Sequence, residues 1–226
     1  MAATVAVAEA TYLPLPTIPP VPEGESKPQA LLPRWGPTHG SNWLLPGSLV
    51  IGAYPSPDDA MKLYNAGVRT FVCLQQIINE HGRGEWDSYK AALEATTKAF
   101  AATFVHFPML DHGEPPLVEE MMPFVLDLRK RILAGECLYI HCYGGHGRTG
   151  TIAIPLISSL CGIDGSQAQR FVQNATNATR AADAHGRWIV TMPETGLQKR
   201  RACFTADAVA AEMKQLHQVQ AGTAGT

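Results

Sequence analysis

The chain has 226 residues, of which 46% are hydrophobic and 17% charged, with a formal net charge of −2. That length allows one sizeable domain with an extension. The near-neutral charge gives no bulk attraction to nucleic acid or to a membrane surface, so any anion binding has to be local. The five cysteines, Cys73, Cys137, Cys142, Cys161 and Cys203, are odd in number and scattered. They do not read as a secreted disulfide framework, and they point to a reducing compartment, the cytoplasm or the nucleus. No run of about 18 apolar residues is present, so no membrane span is expected. The first residues carry Glu9, lack a basic start and are poor in Arg, which makes a poor secretory, mitochondrial or plastid signal.

Proline punctuates the start of the chain. Nine of the 17 prolines lie between Pro14 and Pro46. Proline donates no backbone hydrogen bond and favours extended chain. Residues 1–38 therefore read as a Pro-rich arm, flexible or draped over the domain, with a Pro-rich docking ligand as the alternative. Residues 39–220 form the predicted domain, and 221–226 a tail.

Strand and helix patterns then alternate. A short strand, 49–53, follows a Pro-Gly turn. A helix over 57–66 starts with Ser56 as N-cap and Pro57 at its first position, and ends at Gly67. Residues 68–74 read as a buried strand, 85–102 as containing a helix, 103–107 as a strand and 117–134 as an amphipathic helix closed by Gly135. Residues 137–141 form another strand, followed by helices over 148–160, 166–180 and 205–218. Strands separated by helices predict an α/β domain with a central, mostly parallel sheet flanked by helices.

The chemistry concentrates in CLYIHCYGGHGRTGT, Cys137 to Thr151: a buried strand, a Gly-rich loop and an apolar helix. In an open α/β sheet, ligands bind beyond the carboxyl ends of strands. A helix N-terminus there offers free N–H groups and a positive dipole to an anion. Gly144, Gly145 and Gly147 let the loop curl so that its N–H groups point inward. Five residues separate Cys142 from Arg148, enough to wrap a tetrahedral anion with sulfur at the base and the guanidinium forking two oxygens. The same N–H groups favour a thiolate nucleophile. The substrate-binding loop is therefore Tyr143, Gly144, Gly145, His146, Gly147 and Arg148. Thr149 can hydrogen-bond the sulfur as it leaves. His141 orders the loop rather than transferring protons.

HCYGGHGRTG resembles the H-C-x5-R-[ST] signature of the protein tyrosine phosphatase superfamily, in its cysteine-based dual-specificity branch, and the YGG lead is similar to the kinase-associated phosphatase group. The resemblance covers about residues 43–200. It implies a dual-specificity-phosphatase-like fold and a hydrolase acting through a cysteinyl-phosphate, with no cofactor and no metal. It also implies a general acid on a loop ahead of the signature. Asp111, in FPMLDHGEPP, fits that place, with Glu114 as a second acid and a plain turn or cap role as the bland alternative. His112 reads as loop surface. After the signature, MPETGLQ resembles the P-E-T-x-x-Q stretch of related dual-specificity enzymes. Gln198 there implies a group that aims the hydrolytic water, or else Thr195 simply caps a helix and Gln198 is exposed. Lys199, Arg200 and Arg201 face an acidic phosphopeptide or are a solvated charge run. Pro155 departs from an ideal helix after the signature and could kink it. Cys73 stands where some relatives keep a cysteine near the nucleophile, which raises a protective Cys73–Cys142 disulfide against a packed core thiol.

The expected partner is a phosphoprotein, phosphotyrosine and with it phosphoserine or phosphothreonine. Only His146 adds a cationic candidate to the loop between Cys142 and Arg148, which argues against inositol lipids. A phosphoinositide or small-molecule phosphomonoesterase, and a non-catalytic phosphoprotein-binding module, stay open as alternatives.

Overall fold

The computed structural model of the chain describes residues 12–17, 36–76, 87–96, 102–179 and 191–223. Most of the expected arm, both ends of the 85–102 helical region, Arg180 and residues 224–226 lie outside them.

Among the described residues five strands form one sheet: β1 (Ser41–Leu45), β2 (Leu49–Gly52), β3 (Thr70–Cys73), β4 (Thr103–His106) and β5 (Leu138–His141). Their order is β1-β2-β5-β3-β4. β5 pairs in parallel with β2 on one side and β3 on the other, and β3 with β4, whereas β1 returns antiparallel to β2 as the edge. The sequence reading missed β1. SNWLL is too short and mixed to alternate cleanly, and its pairing is set by the Pro46-Gly47 turn, where Gly47 has φ +77°.

Among the described residues six helices flank the sheet: α1 (Pro57–Asn65), α2 (Asp87–Thr96), α3 (Val118–Leu133), α4 (Gly147–Cys161), α5 (Gly165–Thr179) and α6 (Gly196–Thr223). Side chains alternate between faces along a strand. Thus Val50, Phe71 and Tyr139 pack with α1 and α2 through Leu63, Tyr89 and Leu93. Ile51, Val72, Leu138 and Ile140 pack with α3, α4, α5 and α6 through Leu128, Ile154, Val172 and Val209. α1 starts as the sequence indicates: Ser56 Oγ accepts the Asp59 N–H at 3.1 Å, and Pro57 occupies the first turn. α4 runs unbroken through Pro155, and that residue is buried.

α6 is the main correction. It begins at Gly196, not at 205, and continues to Thr223, into the expected tail. Its start is a reciprocal cap: the Gln198 N–H donates to Thr195 Oγ1 and the Thr195 N–H donates to Gln198 Oε1, each at 3.1 Å. The buried side of its first turns consists of Gln198, Ala202, Thr205 and Ala206, so no large apolar stripe announces the helix.

Of the arm, the described residues 12–17 drape over the domain. Leu13 packs against the core and its N–H donates to the Leu160 carbonyl at 2.7 Å.

Candidate active site

β5 is the central strand, and the loop at its carboxyl end leads directly into α4. Cys142 is 3% exposed, and the Gly145 N–H donates to its Sγ at 3.2 Å. This curl needs glycine at 145. Its φ is +75°, and a Cβ there would run into the Gly52 carbonyl at the end of β2. The Tyr54 N–H donates to the Tyr143 carbonyl at 2.9 Å, which fastens the loop to the chain leaving β2.

Arg148, in the first turn of α4, is 1% exposed. Its Nη2 lies 3.0 Å from Asp111 Oδ1, and its Nη1 donates to the Met109 carbonyl at 3.4 Å. The arginine thus joins the signature loop to the 107–117 loop that follows β4. That second loop is rooted by two backbone bonds, Phe107 N–H to the Cys73 carbonyl at 3.0 Å and Met109 N–H to the Leu74 carbonyl at 3.1 Å. At its tip His112 takes φ +50°, a conformation few non-glycine residues adopt.

His141 is fully buried. Its Nε2 lies 2.8 Å from the Tyr89 hydroxyl and its Nδ1 3.3 Å from the Cys142 carbonyl. The Tyr139 ring stacks on it at 5.5 Å. Burial pushes its imidazole down to about 3, so it is neutral. A neutral imidazole that accepts from Tyr89 and donates to Cys142 O serves the loop as a brace, as the sequence suggests.

A cavity of about 160 Å³ opens at this point, lined by Asp111, His112, Cys142, Tyr143, Gly144, His146, Gly147, Arg148 and Glu194. Of the expected residues, Cys142, Arg148, Asp111 and the loop positions gather here. Gly145 contributes its N–H from behind. Thr149 is buried in the first turn of α4, and its hydroxyl has no hydrogen-bond partner among the described residues. Gln198 is not on the exposed surface that the capping alternative implied: Thr195 does cap α6, yet Gln198 is only 2% exposed. A Cβ placed on Gly147 would lie 2.9 Å from Gln198 Oε1 and 2.6 Å from Glu194 Oε2, so the 194–198 turn presses directly on the signature loop.

Two wall residues escaped the sequence reading. His112 was assigned to surface, and Glu194 was quoted only as part of a motif. Nothing in a linear pattern says which way a loop tip points. Arg201, read as part of a charge run, instead reaches across to the Pro116 carbonyl, Nη1 to O 2.8 Å. Glu114 is at the surface, its side chain 72% exposed. Cys73 ends β3 opposite His141 in register, and both Cys73 and Cys142 are buried and outside any disulfide.

Among the described residues no cluster of three or more His, Cys, Asp or Glu side chains is gathered as a metal site requires. A larger cavity, about 300 Å³, lies at the other end of α4 between Tyr12, Ser158, Asp164 and Asp207. Its lining has neither a cysteine nor an arginine, so the smaller pocket is the candidate site.

The family model for the Swiss Army Knife protein DSP-PTPase phosphatase domain, PTP-SAK, matches residues 38–201. The chain belongs to this family. The match spans the sheet, both site loops and the start of α6, the region over which the sequence resemblance was drawn. The PTP-SAK domain is similar to two iridescent virus proteins named as tyrosine phosphatases. One is 067L of Invertebrate iridescent virus 3, 24% identical over 159 residues, which cover 67% of this chain and 59% of the viral protein. The other is 197R of Invertebrate iridescent virus 6, 31% identical over 144 residues, 62% of this chain and 48% of the viral protein. The chain thus spans about half the length of the curated relatives it matches. Among solved structures, the fold is like kinase-associated phosphatase (TM-score 0.51, 20% identity, 72% of this chain and 88% of that one). It is also like PTPMT1 in complex with PI(5)P (TM-score 0.54, 15% identity, 74% and 94%). Both establish the PTP-SAK domain as an α/β fold of the dual-specificity type. No helix among the described residues is long and apolar enough to cross a membrane.

Proposed function

We propose that the protein is a cysteine-dependent phosphatase of phosphoproteins that works through a cysteinyl-phosphate. The observation that carries this reading is one arrangement. The Cys142 sulfur sits at the floor of a small pocket with the Gly145 N–H on it, and Arg148 and Asp111 are joined across the pocket at 3.0 Å. A phosphate dianion entering the pocket takes the loop N–H groups and the Arg148 fork. The Cys142 thiolate then attacks phosphorus, and the bond to the leaving oxygen breaks as Asp111 gives that oxygen its proton. In the second step Asp111 takes a proton from water, the water oxygen bonds phosphorus, and the thiolate leaves with the Thr149 hydroxyl as its hydrogen-bond donor. Gln198 packs against Gly147 with its Oε1 taken by the Thr195 N–H, which leaves its Nε2 to aim that water.

The pocket favours a phosphoprotein. Its cation is Arg148, the imidazoles of His112 and His146 lie beside it, and Glu194 stands on the same rim. A carboxylate there repels the additional phosphates of an inositol headgroup but tolerates a single phosphorylated side chain. The likeness to PTPMT1 in complex with PI(5)P is one of fold and keeps the lipid reading as the alternative to test. The phosphoprotein partner and the reducing, cytoplasmic or nuclear setting belong to this same reading.

The test is metal-free hydrolysis of an aryl phosphate near pH 6 beside Cys142→Ser, followed by a phosphopeptide and phosphoinositide panel. Turnover lost in the variant, with phosphopeptides preferred, is the expected result. A folded, reduced protein with no turnover above Cys142→Ser overturns the reading, and a preference for phosphoinositides moves it to lipids.

A further inference from the structure

We propose that Arg201 is a positioning residue that straps the 107–117 loop to α6 and thereby holds Asp111 over the reaction site. The inference rests on the reading of Asp111 as general acid.

The sheet fixes the loop at its first end, and Arg148 meets it at Met109 and Asp111. Met109 is 3% exposed, and its N–H is bonded to the Leu74 carbonyl. Beyond it the chain rises into solvent, with Leu110 54% exposed, and Asp111 belongs to this raised part. At the far end the loop meets α6. Arg201 Nη1 donates to the Pro116 carbonyl at 2.8 Å, and Nη2 lies 3.6 Å from Glu114 Oε1. The two contacts are unequal. The Glu114 pair is long, and its carboxylate is largely in water, so screening weakens it. The bond to Pro116 is short and charge-assisted, from a side chain only 15% exposed. Pro115 and Pro116 have fixed φ angles, which limits how far the chain beside this carbonyl can give.

Arg201 also stands three residues after Gln198, one helical turn along the same side of α6. One rigid helix therefore positions the water-aiming amide and the acid loop together. Arg200, its neighbour, is exposed and reaches neither contact.

A strap of this kind acts only where Asp111 acts. Leaving-group protonation matters greatly for a phosphotyrosine or phosphoserine peptide and little for an aryl phosphate whose phenol is strongly acidic. The experiment compares wild type, Arg201→Gln and Arg201→Lys on both kinds of substrate, with thermal melts to confirm folding. In Arg201→Gln, kcat/KM, which reports the first chemical step alone, is expected to fall about tenfold or more on the phosphopeptide and to change less than about twofold on the activated aryl phosphate, with Arg201→Lys between wild type and Gln. Equal losses on the two substrates, or no loss on the phosphopeptide, overturn the strap. If Arg201→Gln does not fold, the same comparison on Arg201→Lys decides. Wild type without Cys142-dependent turnover overturns the phosphatase reading and the strap with it. Cys142-dependent turnover with no selective loss overturns the strap alone.

Discussion

Arg148 Nη2 and Asp111 Oδ1 stand 3.0 Å apart, the arginine 1% exposed and the aspartate side chain 27% exposed. One is on the first turn of the helix after β5, the other on the loop after β4. Their contact closes the pocket from two sides. In the proposed reaction a phosphate dianion displaces this contact: its oxygens take the guanidinium, and the carboxyl is freed to face the leaving group.

Arg148→Lys tests the fork. Lysine keeps the charge but offers a point donor on a flexible stem in place of two fixed N–H groups. We expect kcat/KM on an aryl phosphate to fall on the order of 10²–10³-fold. A loss of less than about threefold would show that charge alone suffices.

Asp111→Asn removes the proton without much change of shape. On a phosphopeptide, kcat/KM, which reports the first step alone, should fall roughly 10²–10⁴-fold, and far less on an activated aryl phosphate. A uniform loss would assign Asp111 to structure, and the same comparison with Glu114→Gln separates the two carboxylates.

Gly147→Ala tests the contact between the signature loop and the turn before α6. The new Cβ would lie 2.6 Å from Glu194 Oε2 and 2.9 Å from Gln198 Oε1. Glu194 is exposed and can swing away, but Gln198 is buried and capped, so the loop itself must move. Such a displacement costs up to about 10²-fold in kcat/KM with folding retained. At Gly144 a Cβ meets only His146 Cδ2, at 3.3 Å, and Gly144→Ala should be milder. Equal effects at the two positions would contradict the packing.

The neutral His141 gives stability a pH dependence. Burial pushes it down to about 3 in the fold, against about 6.5 in an unfolded chain. Between those values the unfolded state binds the extra proton, so stability falls as pH is lowered through about 6.5 toward 3. The drop in melting temperature from pH 7.5 to pH 5 should be smaller in His141→Asn than in wild type. Identical drops would mean that His141 is not the group responsible.

Thiol chemistry should single out one cysteine. Burial pushes Cys137 and Cys161 up to about 11, so both stay protonated at pH 7. Cys142 lines the pocket with an N–H on its sulfur. Iodoacetamide at pH 7 should modify Cys142 first, and inorganic phosphate should slow it, as read by peptide mass spectrometry. Labelling that begins at Cys137 or Cys161 would run against this assignment.

Much of the site was legible in the sequence because its chemistry is local. Cys142, the glycines and Arg148 are consecutive on one loop, and their spacing alone dictates a cradle. The alternation of β2, β3, β4 and β5 with helices was legible too, because buried strands and capped helices each obey short-range rules. What the tertiary structure decided is what the sequence holds far apart. β1 is defined by its partner β2, not by its own pattern. α6 starts at Gly196 because Thr195 and Gln198 cap each other, and its buried side is too small and polar to show a period. Glu194 and His112 become pocket walls, and Arg201 a tie to Pro116, only when α6 packs beside the 107–117 loop, 85 residues away from Pro116 along the chain. Spacing along a chain fixes which groups one loop can present. Which groups from other loops face them depends on packing, and that is a property of the whole fold.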